Sequence, residues 1–111
     1  MVETTISVSD IGCYKVEAKL NGQLVGELEA FPMVGLVHIK VEEKHQSQGI
    51  GTDILNCYVS ELKRRQFARC VLTTHKVNVP MMRICEKLGF QCGPQEAGND
   101  GLGDTVCMLT F

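Results

Sequence analysis

The alternation of apolar and charged residues predicts a β-hairpin early in the chain. Residues 13–31 read as strand, turn, strand around Asn21-Gly22, a dipeptide that favours a two-residue turn with positive φ. Residues 14–20 alternate apolar with charged side chains, so one face is buried and the other meets water. A short strand through residues 4–8 is predicted before the hairpin. Pro32 ends the hairpin.

The pattern then changes from strand to helix. Gly35 to Val41 is predicted as a strand with apolar residues on one face and His38 and Lys40 on the other. After Gly51, apolar residues recur at spacings of three and four up to about Gln66, which is the periodicity of an amphipathic helix. A strand, a polar glycine turn and a helix therefore follow one another.

The second half of the chain predicts one more helix among short strands. Asn78 and Pro80 suit the first turn of that helix, because Asn accepts first-turn amides and Pro tolerates the position, and Gly89 ends it. The other predicted segments are strands at Ala68–Thr74, Phe90–Cys92 and Thr105–Phe111 and a loop at Gly93–Asp104. This order predicts an α/β fold in which two helices pack on a mixed, mostly antiparallel sheet with a parallel part at its centre.

Composition fits one domain over residues 1–111. With 44% hydrophobic and 22% charged residues, the chain matches an average globular protein. A net charge of -2 excludes the clustered Lys and Arg needed to coat nucleic acid or an anionic membrane. No apolar stretch approaches the roughly 20 residues that span a bilayer, and residues 1–10 resemble no targeting segment, so we expect a cytoplasmic protein.

The six cysteines fall mostly inside periodic apolar segments rather than in loops, so we expect most of them to be small buried residues and not a disulfide scaffold. No Cys-x-x-Cys pair occurs, and the three histidines are scattered. The usual ligand spacing of a structural zinc site is therefore absent, and we predict no metal.

The segment from Val41 to Thr52 is the candidate ligand-binding segment of the sequence. It consists of a strand end, a polar glycine loop and a helix start. Glycines let the backbone approach a ligand closely, so amide N–H groups and the helix dipole can converge on a phosphate. The alternative is that Gly49 and Gly51 merely form a tight turn. A P-loop is excluded because no Gly-Lys-Ser/Thr occurs, and a dinucleotide fingerprint is excluded because Ile54 occupies its third glycine.

Two motifs resemble those of the GCN5-related N-acetyltransferase (GNAT) family. Gln46-x-x-Gly49-x-Gly51 is similar to the family's Gln/Arg-x-x-Gly-x-Gly/Ala loop. Asn78, followed by a helix that ends in Glu86-Lys-Leu-Gly-Phe90, is similar to the family's later helix. The resemblance covers residues 37–111 and implies a GNAT-like acyl-CoA N-acyltransferase fold, with acetyl-CoA as the cofactor.

The resemblance also implies which residues hold acetyl-CoA. Main-chain groups of the strand before the loop would bind the pantetheine arm, the loop would hold the pyrophosphate, and the strand that ends at Thr74 would splay away to open a cleft for the thioester. The implied cofactor-binding residues are Ile39, Val41, Gln46, Ser47, Gln48, Gly49, Ile50, Gly51, Thr52, Thr74 and Asn78. For Asn78 a plain helix cap is the alternative, and both roles are compatible.

The catalytic groups depart from the family pattern. The family's usual general acid is a Tyr directly before Glu-Lys-Leu-Gly-Phe, and Cys85 stands there, as a donor or as a buried core thiol. A Lys acceptor with a pKa near 10.4 is only about 0.04% neutral at pH 7, so a base is needed. His38 has a suitable pKa, and Glu42 offers a carboxylate.

The acceptor side also departs from the family, which usually places a strand and two helices before the hairpin; here residues 1–12 precede it. A macromolecular acceptor or a second copy of the chain, as a homodimer, would complete the cleft. We therefore predict an N-acetyltransferase acting on a primary amine, with protein lysine as the leading substrate class, by direct attack in a ternary complex. The alternative is a non-catalytic acyl-CoA-binding or partner-inhibiting module.

Overall fold

The computed structural model describes residues 2–46, 48–94 and 103–111, which form seven strands and two helices. All the predicted strands and helices are present, including the short first strand. Their bounds are β1 Glu3–Val8, β2 Tyr14–Leu20, β3 Gln23–Phe31, β4 Leu36–Val41, α1 Ile50–Arg64, β5 Arg69–Thr74, α2 Val79–Lys87, β6 Gln91–Pro94 and β7 Thr105–Thr110.

The strands form two sheets, one of four strands in the order β1-β2-β3-β4 and one of three in the order β5-β7-β6. All pairs in both sheets are antiparallel. The predicted hairpin joins β2 to β3 through Asn21 (φ 53°) and Gly22 (φ 81°). Two consecutive positive φ angles give a turn whose twist matches that of the flanking strands, which is why Asn-Gly occurs there.

The core lies between the sheets and α1. The apolar stripe of α1 is fully buried at Ile54, Leu55, Tyr58 and Leu62, all 0% exposed. Edge-to-face packing of Tyr14 on Tyr58, with ring centroids 5.8 Å apart, fixes the helix against β2. Among the described residues, no helix is long and apolar enough to cross a bilayer.

The predicted mixed α/β fold is confirmed, but the described residues contain two antiparallel sheets instead of one sheet with a parallel centre. Where the sheets meet, the Thr73 amide donates to the Gly35 carbonyl at 3.1 Å. Gly35 has a left-handed φ of 69° at the end of a 3-10 turn, Pro32–Val34. Beyond Gly35, β4 pairs with β3 and β5 pairs with β7. The hydrogen-bond ladders of β4 and β5 therefore lie on the edges that face away from each other.

The cysteines differ from the expectation in one respect, since Cys92 and Cys107 form a disulfide. These residues are direct partners in the β6–β7 register, with Cα atoms 4.0 Å apart. Cys70 and Cys85 are buried free thiols, as expected, whereas Cys13 and Cys57 are half-buried. Strand β6 also extends two residues into the predicted loop, whose residues 95–102 lie outside the described residues.

Candidate cofactor-binding site

A groove of about 420 Å³ lies where the end of β4, the beginning of α1 and one face of α2 meet. It therefore joins both sequence motifs, although they are separated by the whole of α1 and β5. Its lining residues are Ile39, Val41, His45, Gln46, Gly49, Ile50, Gly51, Thr52, Asn78, Pro80, Met81, Arg83, Ile84 and Lys87.

The first turn of α1 opens into this groove. Gly49 is the N-cap in a left-handed conformation (φ 82°), and no side chain among the described residues caps the turn. The first amides of a helix have no partner within the helix, so those of residues 50–52 are donors available to a ligand. A Cβ added to Gly49 would meet no atom within 4 Å, so open space lies beside the backbone. The helix dipole makes this position favourable for an anion.

Gly51 allows α1 and α2 to approach each other closely. A Cβ at Gly51 would lie 2.8 Å from Cδ1 of Ile84, closer than real contacts permit, and 3.9 Å from Cγ2 of Val41. The missing side chain thus lets Ile84 seat against the first turn of α1. Gly51, Ile84 and Val41 all line the groove, so this contact lies in its wall.

Asn78 caps α2 and lines the groove at the same time. Its Oδ1 accepts a hydrogen bond from the Met81 amide at 3.4 Å. The cap uses the carbonyl oxygen, so the side-chain amide can donate elsewhere. The Asp104 carboxylate accepts hydrogen bonds from the Lys76 amide (2.8 Å) and the Thr105 hydroxyl (2.9 Å), and these bonds lower the pKa of Asp104. The bond to Lys76 anchors the segment before α2.

Three basic side chains in the lining, His45, Arg83 and Lys87, were missed by the sequence reasoning. Nδ1 of His45 is buried and has no hydrogen-bond partner among the described residues, which is unusual for a buried polar atom. Arg83 and Lys87 are four residues apart and so share a helix face. Ion pairs among the described residues involve neither of them. The i, i+4 spacing of these two cations after the Asn78 cap was the signal that could have found them.

Most of the predicted cofactor residues are brought together here: Ile39, Val41, Gln46, Gly49, Ile50, Gly51, Thr52 and Asn78 all line the groove. Gln46 also donates from Nε2 to the Val41 carbonyl at 3.2 Å, which holds the loop on the end of β4. Gln48 is exposed outside the lining, and Thr74 is buried in the β5–β7 ladder opposite Thr105. Ser47 lies outside the described residues.

The predicted catalytic side chains do not line the groove. His38 is exposed on the other face of β4 from Ile39, because side chains alternate along a strand. Glu42 pairs with Lys44 at 3.3 Å, near the surface. Cys85 is 0% exposed, and burial raises its pKa to about 11. The Cys85 thiol is therefore protonated at neutral pH and lies in the core.

Comparison with known proteins identifies the fold and the family. The model of the acetyltransferase (GNAT) family matches residues 5–90. The chain belongs to the GNAT acetyltransferase family. This match confirms the family and the fold that the two motifs predicted. It also confirms the predicted enzyme class, an acetyl-CoA-dependent acetyltransferase. None of the curated proteins compared with this GNAT chain matches it.

Solved structures share the GNAT fold at low sequence identity. A GNAT acetyltransferase from Elizabethkingia anophelis with acetyl-CoA bound is 17% identical, with a TM-score of 0.72 over 98% of this chain and 96% of that one. The IAA acetyltransferase from Bacillus cereus is 16% identical, with a TM-score of 0.70 and 97% of each chain covered. The ribosomal-protein-S18-alanine N-acetyltransferase from Escherichia coli is 18% identical, with a TM-score of 0.66 over 90% of this chain and 68% of that one.

Proposed function

We propose that this GNAT enzyme binds acetyl-CoA in the groove between α1 and α2 and transfers the acetyl group to a primary amine, with a protein lysine as the acceptor. The observation that carries the proposal is the convergence of the uncapped first turn of α1 with three basic side chains in one groove. Coenzyme A carries a pyrophosphate and a further phosphate. A groove for such a ligand needs several anion contacts along its length.

The donor set of the groove fits these phosphates. Backbone amides of residues 50–52 and the helix dipole suit the pyrophosphate. The buried Nδ1 of His45 would gain a hydrogen-bond partner from a phosphate oxygen. Arg83 and Lys87 lie on the α2 wall, where they would supply charge-assisted hydrogen bonds. The groove therefore offers neutral and charged hydrogen-bond donors, and its described lining contains no carboxylate that would repel a phosphate.

The edge of β4 fits the pantetheine arm. Its residues Leu36–Val41 pair with β3 on one side, while β5 is paired with β7 and meets β4 only near Gly35. The second edge of β4 therefore carries backbone donors and acceptors that an extended amide ligand can pair with, as in strand addition. Ile39 and Val41 are half-buried and would contact the apolar part of the arm.

Acetyl-CoA, when bound, supplies the thioester that an acceptor amine attacks directly. A lysine acceptor must lose a proton first, since its pKa near 10.4 keeps it charged at pH 7. We keep His38 as the candidate base for an acceptor that approaches the exposed face of β4, opposite the face that carries Ile39. Cys85 and Glu42 receive no catalytic role in this proposal, because the Cys85 thiol is buried in the core and the Glu42 carboxylate is paired with Lys44.

A second hollow, of about 540 Å³, supports a protein acceptor. It lies where the two sheets meet and includes Gly35, Val71 and Thr73. Its rim exposes large apolar side chains, since Met33 is 88% and Val34 61% exposed. Apolar side chains that cluster on a surface commonly mark contact sites for macromolecules. A protein could cover this rim while one of its lysines reaches the cleft.

The test is acetyl transfer from acetyl-CoA to a mixed panel of proteins, peptides and small amines, followed by mass spectrometry of the acceptors. We expect acetylation of protein lysines above the uncatalysed rate, and its loss when the same acceptors are first dimethylated on their lysines. Acetylation that persists on the blocked proteins would reject lysine as the acceptor. A rate that never exceeds the uncatalysed one for any amine in the panel would reject the proposal as a whole.

A further inference from the structure

Three cysteines meet outside the groove, at the junction of α2, β6 and β7. The Sγ atoms of Cys85, Cys92 and Cys107 all lie within 4.8 Å of one another. Two of them, Cys92 and Cys107, form the disulfide, while Cys85 is a free thiol. A free thiol thus lies beside a disulfide, with its Sγ within 4.8 Å of both bonded sulfurs.

The three sulfurs differ in their access to solvent. Cys85 and Cys107 are both 0% exposed, whereas Cys92 is an exposed residue on strand β6. Strand β6 has β7 as its sheet partner and stands at the end of the order β5-β7-β6. Cys92 is therefore the position among the three at which the cluster borders solution. Cys70 is the next thiol inward, close enough for Cys85 to help raise its pKa.

We propose that Cys85, Cys92 and Cys107 form one thiol–disulfide exchange site, in which buried Cys107 pairs with either Cys92 or Cys85 and small thiols or disulfides from solution react at Cys92. The site is separate from the acetyl-CoA groove and does not depend on the acetyl acceptor. Its external partners belong to the class of small-molecule thiols, of which glutathione is a representative probe.

The internal step conserves electrons and protons. The Cys85 thiol gives its proton to solvent base, and the resulting thiolate attacks Sγ of Cys107. The Cys85–Cys107 bond forms as the Cys92–Cys107 bond breaks, and the electron pair leaves on Cys92, which takes up a proton. Nothing is oxidised or reduced overall. Cys92 is the better leaving group than Cys107, because water can solvate a thiolate that forms at the exposed position.

Exchange with solution follows from the exposure of Cys92. A reduced Cys92 thiolate attacks a small disulfide, forms a mixed disulfide and expels one small thiolate. Cys107 then attacks Cys92, restores the protein disulfide and expels the second thiolate. Two protein thiols are oxidised while one small disulfide is reduced to two thiols. In the isomer that joins Cys85 to Cys107, α2 is covalently tied to β7.

Peptide mapping separates the two disulfide isomers. Trypsin cuts after Arg83 and Lys87, so it releases the tetrapeptide Ile84–Lys87 with Cys85, whereas residues 88–111 carry both Cys92 and Cys107. A Cys92–Cys107 bond is therefore internal to one tryptic peptide, and a Cys85–Cys107 bond joins two. A second cleavage after Glu96 separates Cys92 from Cys107 and identifies which of them is bound.

We expect the joined tryptic peptide in two samples, both quenched in acid. One is the wild-type protein equilibrated at pH 8.5 without reductant, where the buried Cys85 forms more thiolate than at pH 7. The other is Cys92→Ser refolded from the reduced, denatured state in glutathione disulfide, so that Cys107 can react before it is buried and then has Cys85 as its neighbouring thiol. Cys85→Ala should lose the joined peptide, and Cys13→Ser, at a cysteine outside the cluster, should behave as wild type.

Cys92→Ser that carries glutathione without any link to the tetrapeptide would overturn the proposal. If Cys92→Ser does not fold, as judged by circular dichroism, the wild-type map decides alone. A wild-type map at pH 8.5 that contains the internal Cys92–Cys107 bond and no joined peptide would equally reject exchange with Cys85. The readout is a covalent link, so it is independent of acetyl transfer.

Discussion

Gly49 and Gly12 share a backbone conformation but have different neighbourhoods, which makes them a matched pair. Both have a φ of 82°, and a Cβ on either would meet no atom within 4 Å. An Asp at either position therefore brings the same strain and the same charge. At Gly49 the carboxylate would lie at the N-cap of α1, where the proposed pyrophosphate binds, whereas Gly12 lies in the turn before β2.

We predict that Gly49→Asp weakens the binding of acetyl-CoA at least about tenfold, which corresponds to a loss of about 1.4 kcal/mol. The introduced carboxylate would occupy the helix N-terminus and repel phosphate. Gly12→Asp should leave the affinity within about twofold of wild type. Calorimetric titration of each protein with acetyl-CoA measures both values. Equal losses of affinity in the two variants would place the cofactor elsewhere than on the first turn of α1.

Single residues show how far the sequence predicts the site. Gly49 and Asn78 were found because a glycine loop before a helix and an Asn at a helix start have a local physical meaning, whereas Gln46 was predicted from the resemblance to the GNAT loop motif. Arg83 and Lys87 were missed, because a basic pair on a helix normally lies in solvent. The i, i+4 spacing shows that the two cations share a helix face, but whether that face lies in the groove depends on how α2 packs against α1.

At the scale of elements, the groove depends on the spacing between α1 and α2. Gly51 in the first turn of α1 accommodates Cδ1 of Ile84, which a Cβ would approach to 2.8 Å. Val lacks that Cδ1 atom, so Ile84→Val removes the group that an alanine at position 51 would strike. The pair therefore permits a test in which one substitution creates a clash and the other relieves it.

We predict that Gly51→Ala lowers the free energy of unfolding by up to about 2 kcal/mol, because overpacking costs about 1–3 kcal/mol and the helix gains about 1 kcal/mol from Ala over Gly. It should also weaken acetyl-CoA binding by pushing α2 outward. Adding Ile84→Val should restore most of both losses. Urea unfolding and calorimetry on the two single variants and the double variant give the coupling. Simple additivity of the two substitutions would show that this contact does not set the groove.

Elements also show why the sheet was only partly predicted. The strands and the Asn21-Gly22 turn follow from local alternation and turn chemistry. Which strands pair across the middle of the fold is a long-range question, and the sequence order alone favoured a parallel centre. In the structure Gly35 and Thr73 share a hydrogen bond, and the two ladders then run apart. The disulfide has the same origin, since Cys92 meets Cys107 through the β6–β7 register.

For the whole molecule, the net charge and the charge of the groove have opposite effects on the binding of an anion. The chain carries -2, which disfavours anionic ligands at long range. The groove nevertheless gathers His45, Arg83 and Lys87 beside a helix N-terminus. Physiological salt screens exposed charges beyond about 8 Å, so the nearby cations dominate what a bound phosphate experiences. Coenzyme A binding should therefore weaken as salt rises, despite the acidic protein.

We predict that Arg83→Ala and Lys87→Ala each weaken acetyl-CoA binding by roughly tenfold, since a hydrogen bond to a charged group contributes about 1.5–3 kcal/mol. Each variant should also show a shallower loss of affinity between low and high salt, because one cation no longer takes part. Lys63→Ala is the control, since Lys63 lies in the last turn of α1, outside the groove lining. Titrations at two salt concentrations separate this effect from a loss of folding, which would reduce the binding-competent fraction at both. If the control changed the salt dependence as much as Arg83→Ala and Lys87→Ala did, long-range charge rather than contact would govern the groove.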